Sequence, residues 1–315
     1  MKPSTIDFAL DARFDESRFP PLADRRNEYL ATVARGYPRM SERRVVLVAL
    51  ARDVAWVLPQ TIARMERLGS VFREYQVVIY ENDSQDTTRQ ILMAWANSNR
   101  RVHVIGEARR DPVNLPIRCL SRAARMASYR AACQQAVRDR FSDYDNAILI
   151  DVDLVGGWSY DGIAHTYGED GWDFVGSYGI IYRRRGWHPN RVLHYDAWAF
   201  RQDQQYQPLT TKQVNHMLFQ RGMSLQSVSS CFGGLGIYRM PAYLSGRYSG
   251  EDIEHVTFHR DLHRQGFTRL FLNPNQITVY GRRHRGWDRW AAWCLRAAAR
   301  LVRKQSVPWE MMNAR

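Results

Sequence analysis

The chain has 315 residues, 45% of them hydrophobic, and carries 45 Lys and Arg against 32 Asp and Glu, a formal charge of +13. That length fits one large or two small domains, and a mean hydropathy of -0.49 with no apolar run near the ~20 residues of a spanning helix argues against an integral membrane protein. The charge favours a polyanionic partner, while four scattered cysteines (Cys119, Cys133, Cys231, Cys294) without a CxxC pair argue against a zinc ribbon or a disulfide framework.

The first 43 residues are polar and arginine-rich and read as an N-terminal arm, with a helix expected over Asp24–Arg35. Their opening, "MKPSTIDFALDARFDESRF", lacks the apolar core of a signal peptide, so the cytoplasm is the expected address. "RVVLVALA" (44–51) is a continuous β-branched run, a buried strand of parallel type. "DVAWVLPQTIARMERL" (53–68) has helical spacing, and Pro59 inside it marks an expected kink. A strand over 75–80 follows, then a helix over 86–97 with Ser84 or Asp86 as its cap, and a strand over 101–106. A long helix over 120–141 leads into a fourth strand, "NAILI" (146–150). Regular alternation of this kind predicts a parallel sheet wrapped by helices.

Beyond residue 154 the rhythm changes. Residues 156–250 are rich in Gly, Tyr, Trp and Arg and poor in clear helices, with short strands expected over 172–182 and 233–239. A helix is expected over 251–266, stopped by Gly266. Residues 269–281 read as a strand, a turn at Asn273–Asn275 and another strand.

In open α/β sheets ligands bind beyond the carboxyl ends of the strands. The fourth strand ends in Asp151-Val152-Asp153, and residues i and i+2 of extended chain point the same way. Two converging carboxylates repel unless a cation lies near, and oxygen ligands suit Mg2+ or Mn2+. The second strand ends in Glu81-Asn82-Asp83-Ser84 and the first in Arg52-Asp53, polar groups suited to a nucleotide, although a turn and helix cap would also use them. Arg122, Arg125 and Arg130 on the long helix are candidates for gripping a diphosphate, or else form a solvated face. Gly233 and Gly234 would let backbone approach a sugar, or mark tight sheet packing. In "GEDIEHVTFHRDLH", Asp252 or Glu254 is a candidate to face an acceptor hydroxyl, or His255 to complete a metal shell, with a solvated amphipathic helix as the alternative. His255, His259 and His263 form one helical stripe, an arrangement that rarely surrounds a single zinc. The tail "RRHRGWDRWAAWCLRAAARLVRK" (282–304) sets tryptophans beside arginines, suiting an anionic membrane surface or a helix docked on its own domain. No signature of nucleic-acid binding is present, so no nucleic-acid partner is expected.

The blocks "VVLVALARD", "VVIYENDSQDTT", "RMASYRAAC" and "AILIDVDL", in that order, resemble the GT-A nucleotide-sugar glycosyltransferases. "HYDAWAFR", "VSSCFGGLGIYR" and "GFTRLFLNPNQITVY" are similar to the fungal capsule-associated α-1,3-mannosyltransferases, glycosyltransferase family 69, and their bacterial relatives. The resemblance covers residues 44–281 and departs at Ala131, where that family has Asn, and near Glu254 and His255, where it has Cys. It implies an α/β fold of GT-A (Rossmann-like) type: a mixed, mostly parallel central sheet flanked by helices, here with a C-terminal helical tail. Residues 44–154 would be the nucleotide-binding half, 155–281 the acceptor-binding half and 282–315 a basic amphipathic tail. It further implies that Asp151 and Asp153 hold Mn2+ or Mg2+ and the donor diphosphate, with Glu81, Asn82 and Asp83 near the nucleoside and Gly233 and Gly234 near sugar or acceptor. The expected reaction moves a sugar, with mannose as the candidate, from a GDP- or UDP-sugar to a glycan or lipid-linked glycan with retained configuration, at the inner membrane face. Two alternatives stay open: a sugar-phosphate nucleotidyltransferase, against which "ARDVAWV" lacks a glycine-rich loop, and a non-catalytic glycan-binding protein of the same fold.

Overall fold

The computed structural model describes residues 14–114, 118–185 and 188–281. Helix α1 (Arg26–Ser41) lies within the expected arm but starts and ends later than the sequence suggested. It is followed by β1 (Arg44–Ala51), α2 (Leu58–Ser70), β2 (Glu74–Asn82), α3 (Thr88–Ser98), β3 (Val102–Glu107), α4 (Leu120–Phe141) and β4 (Asn146–Asp151). Pro59 does not kink α2. It sits in the first turn, where a missing N–H goes unnoticed, and residues 53–57 form a turn closed by the Val54 carbonyl.

The second half contains β5 (Gly157–Trp158), α5 (Tyr160–Gly168), the hairpin β6 (Phe174–Arg185) and β7 (His188–His194), β8 (Arg201–Gln202) and the single turn α6 (Thr211–Val214). It ends with β9 (Gln226–Ser230), β10 (Leu235–Arg239), α7 (Met240–Ser245), α8 (Glu254–Arg264) and β11 (Leu270–Tyr280). Helix α5 falls in a stretch where no clear helix was expected. Ser159 caps it by accepting from the Gly162 amide at 2.7 Å, and it crosses α1 so closely that a Cβ on Gly36 would fall 1.7 Å from the Ala164 carbonyl oxygen. The turn expected at Asn273–Asn275 is instead a bulge inside one continuous strand. Its side chains stay buried because neighbours satisfy them: Asn273 donates to Thr166 Oγ1 at 2.8 Å and Gln276 to Ser177 Oγ at 2.9 Å.

One mixed sheet runs β3-β2-β1-β4-β10-β6-β11-β9-β8, with β5 on β11 and β7 on β6. The first four strands are mutually parallel. Antiparallel β10 separates them from β6 and β11, which run the same way as β4. Most strands therefore share one direction. Side-chain parity divides the core: Val46, Val48, Ala147 and Leu149 face one layer, with residues of α4, α7 and α8, while Val45, Leu47, Ile148 and Ile150 face α1, α2 and α5. A strand buried on both faces has no polar side, which is why "VVLVALA" and "AILI" read as continuous apolar runs. No described helix is long and apolar enough to cross a membrane. The tail expected over 282–304, with Cys294, lies outside the described residues.

Candidate active site

Parallel pairing fixes where the polar strand ends meet. Ala51 is opposite Glu81 and Leu50 is opposite Asp151, so Arg52, Asn82 and Asp151 emerge side by side on one rim. Antiparallel β10 starts at the same rim, with Leu235 opposite Ile150. Above this rim lies a cleft of about 320 Å³, walled on one side by α4 and on another by the start of α8.

Asp151 and Asp153 both line the cleft. The loop carrying them is pinned from three sides. The Asp151 amide donates to the Gly234 carbonyl at 2.8 Å, Thr61 of α2 donates to Val152 O at 2.7 Å, and Arg64 donates to Leu154 O at 3.0 Å. Tyr195 donates its hydroxyl to Asp151 Oδ2 at 2.9 Å. Burial raises the Asp151 carboxyl to about 7, with Arg130 opposing and Asp153 reinforcing the rise. Burial also raises Asp153, against a hydrogen bond from Tyr280.

Arg130 is the buried cation of the site. Its Nε donates to Glu254 Oε1 at 3.1 Å, its Nη2 lies 3.7 Å from Asp151 Oδ1, and its guanidinium sits 5.2 Å over the Phe232 ring. Burial alone would lower its pKa, but Glu254 and Asp151 outweigh that and raise it. Arg122 lines the same wall. Arg125 does not: it donates to Asn114 Oδ1 at 2.9 Å and braces the loop that closes the cleft. Arg52 lines the cleft while donating to the Asp111 and Pro112 carbonyls at 2.9 and 3.0 Å.

Several expected ligand contacts have structural employment instead. Glu81 is buried outside the cleft lining and accepts from the Ser84 amide at 3.0 Å. Asp83 adopts φ 54° and accepts from the Arg110 and Asp111 amides at 2.9 and 3.0 Å, so it ties the ends of two strands together. Only Asn82 of that trio lines the cleft. Gly233 packs closely on the β6 backbone, and Gly234 on Leu154 and the Tyr195 ring. A Cβ on Gly233 would fall 2.1 Å from Ser177 O, and one on Gly234 would fall 2.9 Å from Leu154 Cδ2. Asp252 is not free to act as a base: it is buried outside the cleft lining and grips Arg201 through both oxygens at 3.0 and 3.1 Å. Glu254 does line the cleft, and its Oε2 has no hydrogen-bond partner.

His255 is 2% exposed and stacks on Phe232 at 4.0 Å, with neither ring nitrogen hydrogen-bonded. Burial, Arg130 and His259 keep it neutral. His255 lines the cleft together with Asp151 and Asp153, and among the described residues no group of three or more His, Cys, Asp and Glu side chains is gathered as a ready-made metal shell. His259 is held by Ser230 and Tyr238 at 2.9 and 2.8 Å, which removes the histidine stripe from metal chemistry.

The aspartates nevertheless suit a hard divalent ion. They supply paired carboxylates, the nearest guanidinium stands off Asp151 at 3.7 Å, and Asp196 Oδ2 and Glu254 Oε2 remain buried without partners. Asp151 and Asp153 would hold the ion, leaving its other positions to water and to phosphate oxygens. Sequence reasoning missed Tyr195, Asp196 and Tyr280. Asp196 lines the cleft at φ 60°, a conformation uncommon outside glycine, and burial, Asp151 and Glu254 push its carboxyl well up. "HYD" and the strand-end tyrosine carry no periodicity that would have flagged them.

No family model matches the chain, and no curated protein matches it in sequence. Among solved structures it is similar to GalNAc-T7 with UDP, GalNAc and Mn2+, at 13% identity and TM-score 0.47 over 78% of this chain and 45% of that one. It is also similar to the mannosyltransferase PcManGT from Pyrobaculum calidifontis in complex with GDP-Man and Mn2+, at 12% identity and TM-score 0.48 over 90% and 71%. A third is glucosyl-3-phosphoglycerate synthase from Mycobacterium tuberculosis with Mn2+, UDP and phosphoglyceric acid, at 12% identity and TM-score 0.43 over 88% and 83%. The chain thus spans under half the length of the GalNAc-T7 structure. These likenesses concern the fold.

Proposed function

We propose that the chain is a GT-A glycosyltransferase that moves a sugar from a nucleotide-diphosphate donor to a hydroxyl, with Mn2+ or Mg2+ held by Asp151 and Asp153. The observation that carries this reading is the cleft at the carboxyl ends of β1, β2 and β4. There the two aspartates face a buried arginine and unpartnered carboxylate oxygens. Held there by Asp151 and Asp153, a divalent ion would supply positive charge to offset that of a departing nucleoside diphosphate. The protein's own groups do the rest. Arg52, Asn82, Arg122 and Arg130 all line the cleft, and in this reading the first two serve the nucleoside end of the donor and the two α4 arginines its phosphates. Phe232, Met126 and Trp198 supply apolar wall that displaces water from the reacting atoms.

In the reaction the bond from the anomeric carbon to the phosphate oxygen breaks and a bond to the acceptor oxygen forms. The acceptor proton passes either to the leaving phosphate, which retains configuration, or to a carboxylate, which accompanies inversion. In its finer form the proposal takes mannose as the sugar and retention as the outcome, with a family 69 relationship, on the sequence resemblance. The unpartnered Glu254 Oε2 in the cleft favours a second reading, in which Glu254 receives the proton. The anomeric configuration of the product, read by NMR, separates the two. The acceptor we propose is a glycan or lipid-linked glycan at the inner membrane face, reached through residues 282–304. Deleting 282–315 should then weaken binding to anionic liposomes, and unchanged binding would remove that part.

The central test is a thermal-shift screen of UDP, GDP and their sugars with and without Mn2+. A ligand of the native state raises the melting point by mass action. The shift should need metal and vanish in the Asp151→Ala/Asp153→Ala double variant, along with slow donor hydrolysis. Hydrolysis that survives in the double variant would sink the proposal.

A further inference from the structure

Two tyrosines from distant parts of the chain converge on the aspartate pair. Tyr195 follows β7, and Tyr280 is the last residue of β11. Their rings stack at 4.6 Å with an interplanar angle of 8°. Each hydroxyl takes a different carboxylate: Tyr195 donates to Asp151 Oδ2 at 2.9 Å, and Tyr280 hydrogen-bonds Asp153. Both tyrosines are held at the rim through β6, although β11 also pairs at Val279 with Gly157 just beyond the aspartate loop. Tyr280 is opposite Ile181 in the β6–β11 ladder, and the Tyr195 amide donates to Gly179 O at 2.8 Å.

We propose that Tyr195 and Tyr280 act together as a positioning clamp, one ring stack with two hydroxyls, that sets the separation and rotamers of Asp151 and Asp153 and so the affinity for a divalent cation. This rests on the metal-dependent reading above. Two like-charged carboxylates without a cation would swing apart through their free χ angles. A stacked pair moves as one rigid body, so a hydrogen bond from each ring transfers that rigidity to both acids. The bond from Tyr195 occupies Oδ2 of Asp151 and leaves Oδ1, 3.7 Å from Arg130 Nη2, turned from the ring. Outer groups that orient first ligands change metal affinity by roughly 10–100-fold when removed. The bland alternative is that the hydroxyls only satisfy buried acids. That predicts a lower melting point and an unaltered metal constant.

The test uses the full chain as wild type, Tyr195→Phe, Tyr280→Phe, the double phenylalanine variant and Asp151→Asn/Asp153→Asn. Phenylalanine keeps the stack and deletes only the hydroxyl. Free Mn2+ is counted by electron paramagnetic resonance during titration, alone and with UDP or GDP, and the melting point of each variant is recorded without metal. The clamp predicts a Mn2+ Kd raised about tenfold in each single variant and further in the double, with nucleotide affinity in the absence of metal unchanged. Single-variant Kd values within twofold of wild type would overturn the clamp while leaving the metal-dependent reading intact. Wild-type protein that binds no Mn2+ even with nucleotide would overturn both. If one single variant fails to fold, the other reads the same effect.

Discussion

Asp151→Asn should make the metal-free protein more stable while destroying its proposed use. The wild-type carboxyl is raised from 3.8 to about 7 in the folded state, chiefly by burial. Between those values the folded protein holds a proton that the unfolded chain has released, so stability declines as pH climbs and levels off above about 7. At 1.36 kcal/mol per pKa unit the full penalty is about 4 kcal/mol. Because 24% of the Asp151 side chain is open to the cleft, a discounted figure of roughly 2–3 kcal/mol is the better expectation. Asparagine keeps the shape and the acceptor for Tyr195 but never ionises. Urea denaturation at pH 5 and pH 8, without metal, should show the variant gaining on wild type by about 2 kcal/mol between the two conditions. Added Mn2+ should then stabilise wild type alone. A variant no more stable than wild type at pH 8, or a gap independent of pH, would refute the view that this acid is held at the expense of stability.

His165 is buried and stacked against Tyr29, and burial lowers it from 6.5 to about 4. Its contribution is intact above about pH 6.5 and lost toward pH 4, about 3 kcal/mol in all, so His165→Phe should flatten that part of a pH–stability profile. Asp252→Asn breaks a buried pair with Arg201 and should lower stability by about 3–5 kcal/mol with little change in turnover below its melting temperature. Glu254→Gln, by contrast, should depress turnover, which a donor-consumption assay on both variants would show. Gly36→Ala places a methyl 1.7 Å from the Ala164 carbonyl oxygen and should cost about 1–3 kcal/mol by forcing α1 from α5, visible in a calorimetric melt.

The first half of the fold was legible because its elements are local. Helix α4 was expected over 120–141 and forms there, and the apolar runs of β1 and β4 announced strands buried on both faces. Asp151 was legible as the polar end of a buried strand, whereas Asp153 lies in the turn after β4, where period-2 alternation no longer applies, and yet lines the same cleft. What failed was decided at long range. Asn273 and Asn275 look like turn formers, but buried partners on α5 and at Met223 let them bulge within a strand. Asp252 and Glu254 are chemically alike and two residues apart. Only the placement of Arg201 and Arg130 separates a locked ion pair from a carboxylate facing the cleft. Gly233 fitted a sugar approach or tight strand packing equally well in the sequence, and the close Ser177 carbonyl shows that the packing is there.

Strand β10 has a consequence for how such a chain can change over time. It comes from the second half yet lies against β4, and the Gly234 carbonyl just before it holds the amide of Asp151. Recombination at residue 154 would therefore not shuffle the two halves as cassettes. It would strip β4 of a neighbour, bare an apolar strand edge open to aggregation, and loosen the acid it ends in. Change in what the cleft accepts would have to come by drift in the loops, with the seam between the halves inherited whole.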